Sequence, residues 1–207
     1  MTSRPGFLIS IDGPSGVGKT TVSRLLGREL RRNGYRVTVT ATPSRSALGN
    51  FARFGTHTLR AHPLALLVAA DRYLHHQRVI VPALLEGHIV ICDRYVPSSL
   101  ALDVLDGIDR RYAFSLYRYL TMPHLCVILV GDPSTCALRS RLRGQYSRFH
   151  YWRIADRRRE LNEYTNTVAF LRRRRYAVHL QLVDNLNAKR VAADLATLLL
   201  EIGGCRK

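Results

Sequence analysis

Apolar and polar positions follow two rhythms along this chain. Short apolar, β-branched runs at Phe7–Ile11, Arg36–Thr42, Ile89–Cys92, Leu125–Val130 and Val178–Val183 predict buried strands. Longer amphipathic stretches between them predict helices over Thr20–Asn33, Pro63–Glu86, Asp109–Leu120, Pro133–Arg143, Ala155–Arg174 and Ala188–Ile202, with Gly34 and Gly87 where the first two should stop. Strands that alternate with helices cannot pair as hairpins. They imply an α/β fold of three layers, a five-stranded parallel sheet flanked by helices on both faces. No repeat, low-complexity tract or linker divides the pattern, so residues 1–207 are expected to form one domain.

In such a sheet a ligand sits beyond the carboxyl ends of the strands. Five segments should therefore converge: 13–20, 42–49, 93–99, 131–135 and 184–187. The first reads Gly13-Pro14-Ser15-Gly16-Val17-Gly18-Lys19-Thr20, a G-x-x-x-x-G-K-[ST] match between a strand and a helix. Backbone N–H groups of such a loop wrap a phosphate, and the helix dipole points its positive end at the anion. Lys19 is expected to bridge the β- and γ-phosphates of ATP, and Thr20 to hold Mg²⁺. Asp93, at the end of Val90-Ile91-Cys92, stands where a carboxylate would act through the Mg²⁺ shell, and Arg94 beside it faces an acceptor phosphate.

Composition narrows the alternatives. With 46% hydrophobic residues the chain can bury a full core, and it contains no run of about 18 apolar residues that would span a bilayer. The apolar strand begins close to Met1, so no signal peptide is visible and a cytoplasmic protein is expected. Cys92, Cys126, Cys136 and Cys205 lack metal-site spacing, so neither a structural metal nor a disulfide is expected. The net charge of +17 invites a polyanion partner, yet Arg157-Arg158-Arg159 and Arg172-Arg173-Arg174-Arg175 fall in helical stretches that suit a solvated face. Nucleic acid is not the expected partner. Only Lys19, Lys189 and Lys207 are lysines among 32 basic residues, so the phosphate loop holds one of the few slim ammonium groups in the chain.

Five segments in order carry a resemblance to the thymidylate kinase family of P-loop nucleoside-monophosphate kinases. They are Ile11-Asp12-Gly13 with the phosphate loop, Thr42-Pro43-Ser44-Arg45, Ala69-Ala70-Asp71-Arg72, Asp93-Arg94-Tyr95 with Ser98-Ser99, and the arginine-rich Arg139 to Arg148. The resemblance implies transfer of the γ-phosphoryl of ATP to a nucleoside monophosphate, dTMP first, by a homodimer for which the apolar stretch Leu64 to Leu85 is the candidate surface. It implies ATP contacts by Gly13, Ser15, Gly16, Val17, Gly18, Lys19, Thr20, Thr21 and Arg139, and Mg²⁺ contacts by Thr20 and Asp93. Acceptor contacts are implied for Asp12, Arg45, Val68, Arg72, Arg94, Ser98, Ser99 and Asp103. Residues 139–150 resemble the lid that closes over ATP. The phosphate loop contains no arginine, so the catalytic set implied is Lys19, Asp93, Arg94 and, from the lid, Arg143 and Arg148, which flank Gly144.

Departures from the family cluster on the acceptor side. Val68 stands where the family has a Phe that stacks on thymine, and Ser15 where a carboxylate contacts the acceptor sugar. Ala101-Leu102-Asp103 replaces Ala-Tyr-Gln, and Ser147-Arg148-Phe149-His150 replaces Asp-Arg-x-Glu. Loss of a stacking face and of hydrogen-bond partners changes substrate preference. Two alternatives therefore stay open: a P-loop kinase acting on a modified nucleotide, a nucleoside or another small hydroxylated or phosphorylated metabolite, and a nucleotide-binding switch associated with nucleic acid.

Overall fold

A computed structural model describes residues 6–142, 147–148, 153–183 and 187–202. Five strands, β1 (Phe7–Asp12), β2 (Val37–Ala41), β3 (Ile89–Asp93), β4 (Leu125–Val130) and β5 (Val178–Leu182), pair in parallel in the order β2-β3-β1-β4-β5. β1 lies at the centre, and the chain order reverses beside it. A crevice therefore opens beyond its carboxyl end, where the phosphate loop begins.

Alternation along β1 sends side chains to both layers. Ile9 and Ile11 join Val22, Leu26 and Leu30 of α1 (Lys19–Arg32) and Val191, Leu195 and Leu199 of α9 (Ala188–Glu201) in one core. Each of these fully covered aliphatic side chains contributes roughly 1.5–3 kcal/mol of burial. Leu8, with Val90 and Cys92 of β3, packs on the opposite face against α3 (Ala61–His75) and α5 (Val96–Leu105). Ile128 of β4 meets Tyr164 and Val168 of α8 (Ile154–Arg173) on that same side.

Each of the five strands lies within about a residue or two of its expected bounds, and the helices differ in instructive ways. The single helix expected over Pro63–Glu86 is α3, a π-helical turn at His76–Ile80, and α4 (Val81–Leu85). Pro82 explains the break, because its ring lacks the N–H and crowds the carbonyl four residues back, and the wider turn just upstream accommodates it. The helix expected over Asp109–Leu120 is only α6 (Arg110–Ser115), capped by Asp109, whose carboxylate accepts the N–H groups of Arg111 and Tyr112 at 2.9 Å. Two helices escaped the periodicity. α2 (Ala47–Gly55) is short and starts from a Ser46 cap, and α5 is buried nearly all round, its Ser98, Ser99 and Asp103 included, so no solvent-facing polar stripe reveals it. The helix after β4, α7 (Pro133–Leu142), leads towards the expected lid, of which only Arg139–Leu142, Ser147 and Arg148 are among the described residues.

Candidate active site

The turn from β1 into α1 is a tight loop that only glycine permits at two places. Gly13 and Gly16 have φ of 134° and 87°, and a Cβ on them would lie 2.3 Å from the Leu129 carbonyl oxygen and 2.1 Å from that of Cys136. Lys19 opens α1 inside this loop. Its Nζ donates to the carbonyl oxygens of Gly13 (2.8 Å) and Pro14 (2.6 Å). Burial, and then the nearby Arg94 guanidinium, lower the Lys19 ammonium to about 7, against the opposing pull of Asp93, Glu160 and Asp12. An anion in the loop reverses that shift, so phosphate binding and Lys19 protonation reinforce each other.

The end of β3 supplies the facing groups. Thr20 Oγ1 donates to Asp93 Oδ2 at 2.5 Å, while Asp93 Oδ1 is buried with no hydrogen-bond partner among the described residues. That set fits Mg²⁺, which binds through one or two protein oxygens together with substrate phosphates and needs no protein cage. Arg94 follows at φ 68°, a conformation L side chains rarely adopt; its Nη2 donates to Ser15 Oγ at 3.1 Å and its Nη1 is buried without a partner among the described residues.

Both faces open on a cavity of about 330 Å³, the size of a small-ligand site. Its walls bring together Ser15, Thr20, Asp93, Arg94, Ser98, Ser99, Val68, Arg72 and Asp103 from the expected set. Val68, Leu64, Ala52 and Leu102 make its apolar side. Arg72 is 2% exposed and lies 5.4 Å from the Tyr117 ring centroid and 5.8 Å from that of Tyr95, with Nε and Nη1 unpartnered among the described residues. Among the described residues no ion pair joins it to its neighbour Asp71. Asp71 accepts the Ser44 N–H (2.7 Å) and Ser44 Oγ (2.6 Å), pinning the segment after β2 to α3 and leaving Arg72 for the cavity.

Asp103 is 8% exposed, with Oδ2 unpartnered among the described residues. Burial lifts its carboxyl to about 7; Asp106 adds to the shift and Arg72 opposes it. The folded protein thus holds a proton there that the unfolded chain releases near pH 4. Stability from this group is fully present below that pH and is lost as pH rises through 7, the reverse of a salt-bridged carboxylate. We expect Asp103→Asn to melt like the parent at pH 4 and above it at pH 8, by up to about 4 kcal/mol. Thermal unfolding at the two pH values checks this, and an equal offset at both would refute it.

Several expected residues lie elsewhere. Asp12 is wholly buried and off the cavity wall: its Oδ1 accepts Tyr95 N–H (2.9 Å), Ser98 N–H (3.0 Å) and Ser98 Oγ (2.5 Å), so the carboxylate satisfies free donors at the start of α5. Arg45 is exposed and off the wall. Arg53 of α2 is on it instead, donating through Nη2 to the carbonyl oxygens of Pro43 (2.7 Å) and Ser44 (3.2 Å). Arg148 forms an ion pair with Asp106 and touches Thr56 and Leu59, beside the cavity residues Asp106 and Thr56, and itself lines a separate pocket with Arg60, Asp156 and Arg159. Arg143 lies outside the described residues. Arg139 lines a separate pocket of about 70 Å³ with Val17, Gly131 and Thr135, and Thr21 lines neither pocket.

A glycine-rich loop around a buried lysine, a Thr–Asp pair at the next strand end, and a cavity with two under-bonded arginines define a P-loop nucleotide kinase. The thymidylate kinase family model matches residues 11–178. A probable thymidylate kinase of Caldivirga maquilingensis is 36% identical over 93% of this chain and 93% of its own, and one of Pyrobaculum aerophilum is 32% identical over 94% and 96%. A crystal structure of thymidylate kinase from Ehrlichia chaffeensis superposes with a TM-score of 0.71 at 24% identity, covering 94% of this chain and all of that one, a likeness of fold. The chain belongs to the thymidylate kinase family, nucleoside-monophosphate kinases that transfer the γ-phosphoryl of ATP to dTMP and release ADP and dTDP.

Proposed function

We propose that transfer takes place in the 330 Å³ cavity, with ATP phosphates on the loop 13–20 and the dTMP phosphate at Arg94. The observation that carries this reading is that Asp93, Arg94 and Arg72, which line this cavity, each hold a buried polar atom with no partner among the described residues: Asp93 Oδ1, Arg94 Nη1, and Arg72 Nε and Nη1. Unpaired buried groups are costly, and a nucleotide satisfies them. Thr20 and Asp93 would hold Mg²⁺, which neutralises charge on the phosphate oxygens.

Little covalent work falls to the protein. An oxygen of the dTMP phosphate forms the new bond to the γ-phosphorus as the bond to the β-phosphate oxygen breaks, and ADP leaves with that electron pair. Lys19 spreads its charge over the β- and γ-phosphates, and Arg94 holds the attacking phosphate in line. At the far end Arg72 donates to a thymine carbonyl and Asp103 accepts the ring N–H, while Val68, Leu64 and Leu102 cover the base. Ser98 and Ser99 line the passage between base and phosphate. Arg143 and Arg148 are the lid cations in this reading, and Arg148 must leave Asp106 to reach the transferring group.

Cytoplasmic location and homodimerisation complete the proposal. Among the described residues no helix is long and apolar enough to cross a membrane, and the exposed Leu66 and Leu85 lie in the stretch expected to pair.

A coupled ATP-consumption assay with Mg²⁺ against the common nucleoside monophosphates and nucleosides tests the assignment. Turnover of dTMP well ahead of the rest is expected. Preference for another acceptor, or ATP binding without turnover, would sink it.

A further inference from the structure

Behind the phosphate loop, five residues form one buried chain of hydrogen bonds that no motif in the sequence marks. Arg157 and Glu160, one turn apart on α8, pair at 2.8 Å (Nη1 to Oε2), and both side chains are 0% exposed. Arg157 Nη2 donates to Ser140 Oγ of α7 at 2.9 Å. The other oxygen of Glu160, Oε1, accepts the backbone N–H of Ser15 at 3.1 Å, and Ser15 Oγ accepts Arg94 Nη2 at 3.1 Å. The chain thus runs Ser140, Arg157, Glu160, Ser15, Arg94. It links the helices on either side of residues 143–153 to the phosphate loop and on to the cavity.

Stability alone does not account for this arrangement. A fully buried ion pair loses so much hydration that apolar residues of equal volume hold a fold as well or better. A carboxylate behind a loop that binds polyanions also carries the wrong sign, and the Arg157 guanidinium offsets it. What the pair supplies is geometry. Glu160 turns one peptide of the loop to the rear, so the Ser15 hydroxyl faces the cavity at the one place where it meets Arg94.

We propose that Arg157 and Glu160 are a positioning pair for phosphoryl transfer. Through the peptide and hydroxyl of Ser15 they set the direction of Arg94, and so the alignment of the acceptor phosphate with the phosphates on the loop. The inference rests on Arg94 being the acceptor-phosphate ligand. A misalignment near 1 Å is enough to cost up to about a hundredfold in rate.

The test is a kinetic cycle between removal of the pair (Arg157→Met with Glu160→Leu, close in volume) and Ser15→Ala, read as kcat, KM for dTMP, ATP affinity and melting temperature. Pair removal is expected to lower kcat about ten- to a hundredfold with ATP affinity within about threefold. Ser15→Ala should then cost much less in that background than in the parent, because both act through Arg94. Unchanged kcat and KM with only a shifted melting temperature would overturn the proposal, as would equal costs of Ser15→Ala in both backgrounds. If the double variant does not fold, Glu160→Gln decides by the same readouts, and failure of that variant to fold assigns the pair to stability alone and also overturns the proposal. Arg94→Ala separates the two levels: if it leaves dTMP kinetics intact, the reading of Arg94 fails, whereas its loss of activity beside silent pair variants sinks only the positioning role.

Discussion

Replacing Lys19 with alanine lowers kcat for dTMP phosphorylation by about a thousandfold or more while the protein still folds. The rate effect follows from position. Lys19 is 5% exposed, its ammonium is held on the axis of the loop by the Gly13 and Pro14 carbonyls, and no other lysine or arginine projects from residues 13 to 20. Charge developing on the phosphates therefore loses a preorganised counter-charge inside a largely dry site. The fold loses two carbonyl hydrogen bonds, worth about 1–3 kcal/mol together, and sheds a buried cation whose own desolvation is unfavourable. Arginine does not restore the rate, because a planar fork cannot occupy the space of an ammonium between those two oxygens. ATP binding to the parent protein takes up part of a proton at pH 8, since Lys19 sits near 7 when free and is pulled upward by phosphate. Calorimetry in buffers of different ionisation enthalpy reads that uptake, and Lys19→Ala abolishes it. Persistence of activity in the alanine variant would disprove the phosphate-site assignment.

Much of the architecture was legible because it rests on local periodicity. The central strands β1, β3 and β4, covered on both faces, announce themselves as apolar runs, whereas the edge strands β2 and β5 are apolar but only partly covered, against the expectation of burial. A loop that must cradle phosphate admits few residues. The same logic pointed to Thr20, Asp93 and Arg94 at the strand ends, the family resemblance added Arg72 and Asp103, and all five line one cavity. What escaped depends on contacts between distant segments. Asp12 reads as a functional carboxylate beside the loop; its Oδ1 accepts N–H groups at the start of α5, more than eighty residues away, while its Oδ2 has no partner among the described residues. Arg45 and Arg53 both lie near cis-Pro43, and only the fold of α2, too short for a periodic signal, decides that Arg53 faces inward. Glu160 and Arg157 sit in an arginine-rich run that composition reads as a solvated face; nothing short of packing α8 against the loop exposes them as buried. Arg148 is governed by Asp106, a helix-end residue without motif value.

Arg94 separates activity from stability more sharply than any other residue of the site. Arg94→Ala should lower kcat/KM for dTMP by about a hundred- to a thousandfold with ATP affinity nearly unchanged, since in the proposed reading its guanidinium holds the acceptor phosphate and touches the phosphate loop only through the Ser15 hydroxyl. Lysine recovers only a fraction, because one ammonium neutralises charge without matching two phosphate oxygens at once. The backbone predicts something further. At φ 68° an L residue carries about 1 kcal/mol or more of conformational strain, which alanine keeps and glycine sheds. Arg94→Gly is therefore expected to be as inactive as Arg94→Ala yet to melt above it, despite the greater freedom glycine gives the unfolded chain. Chemical denaturation of the two variants beside their kinetics distinguishes the contributions. An alanine variant at least as stable as the glycine variant would show that the left-handed turn carries no strain, and that the arginine there meets no cost in stability for its place at the acceptor phosphate.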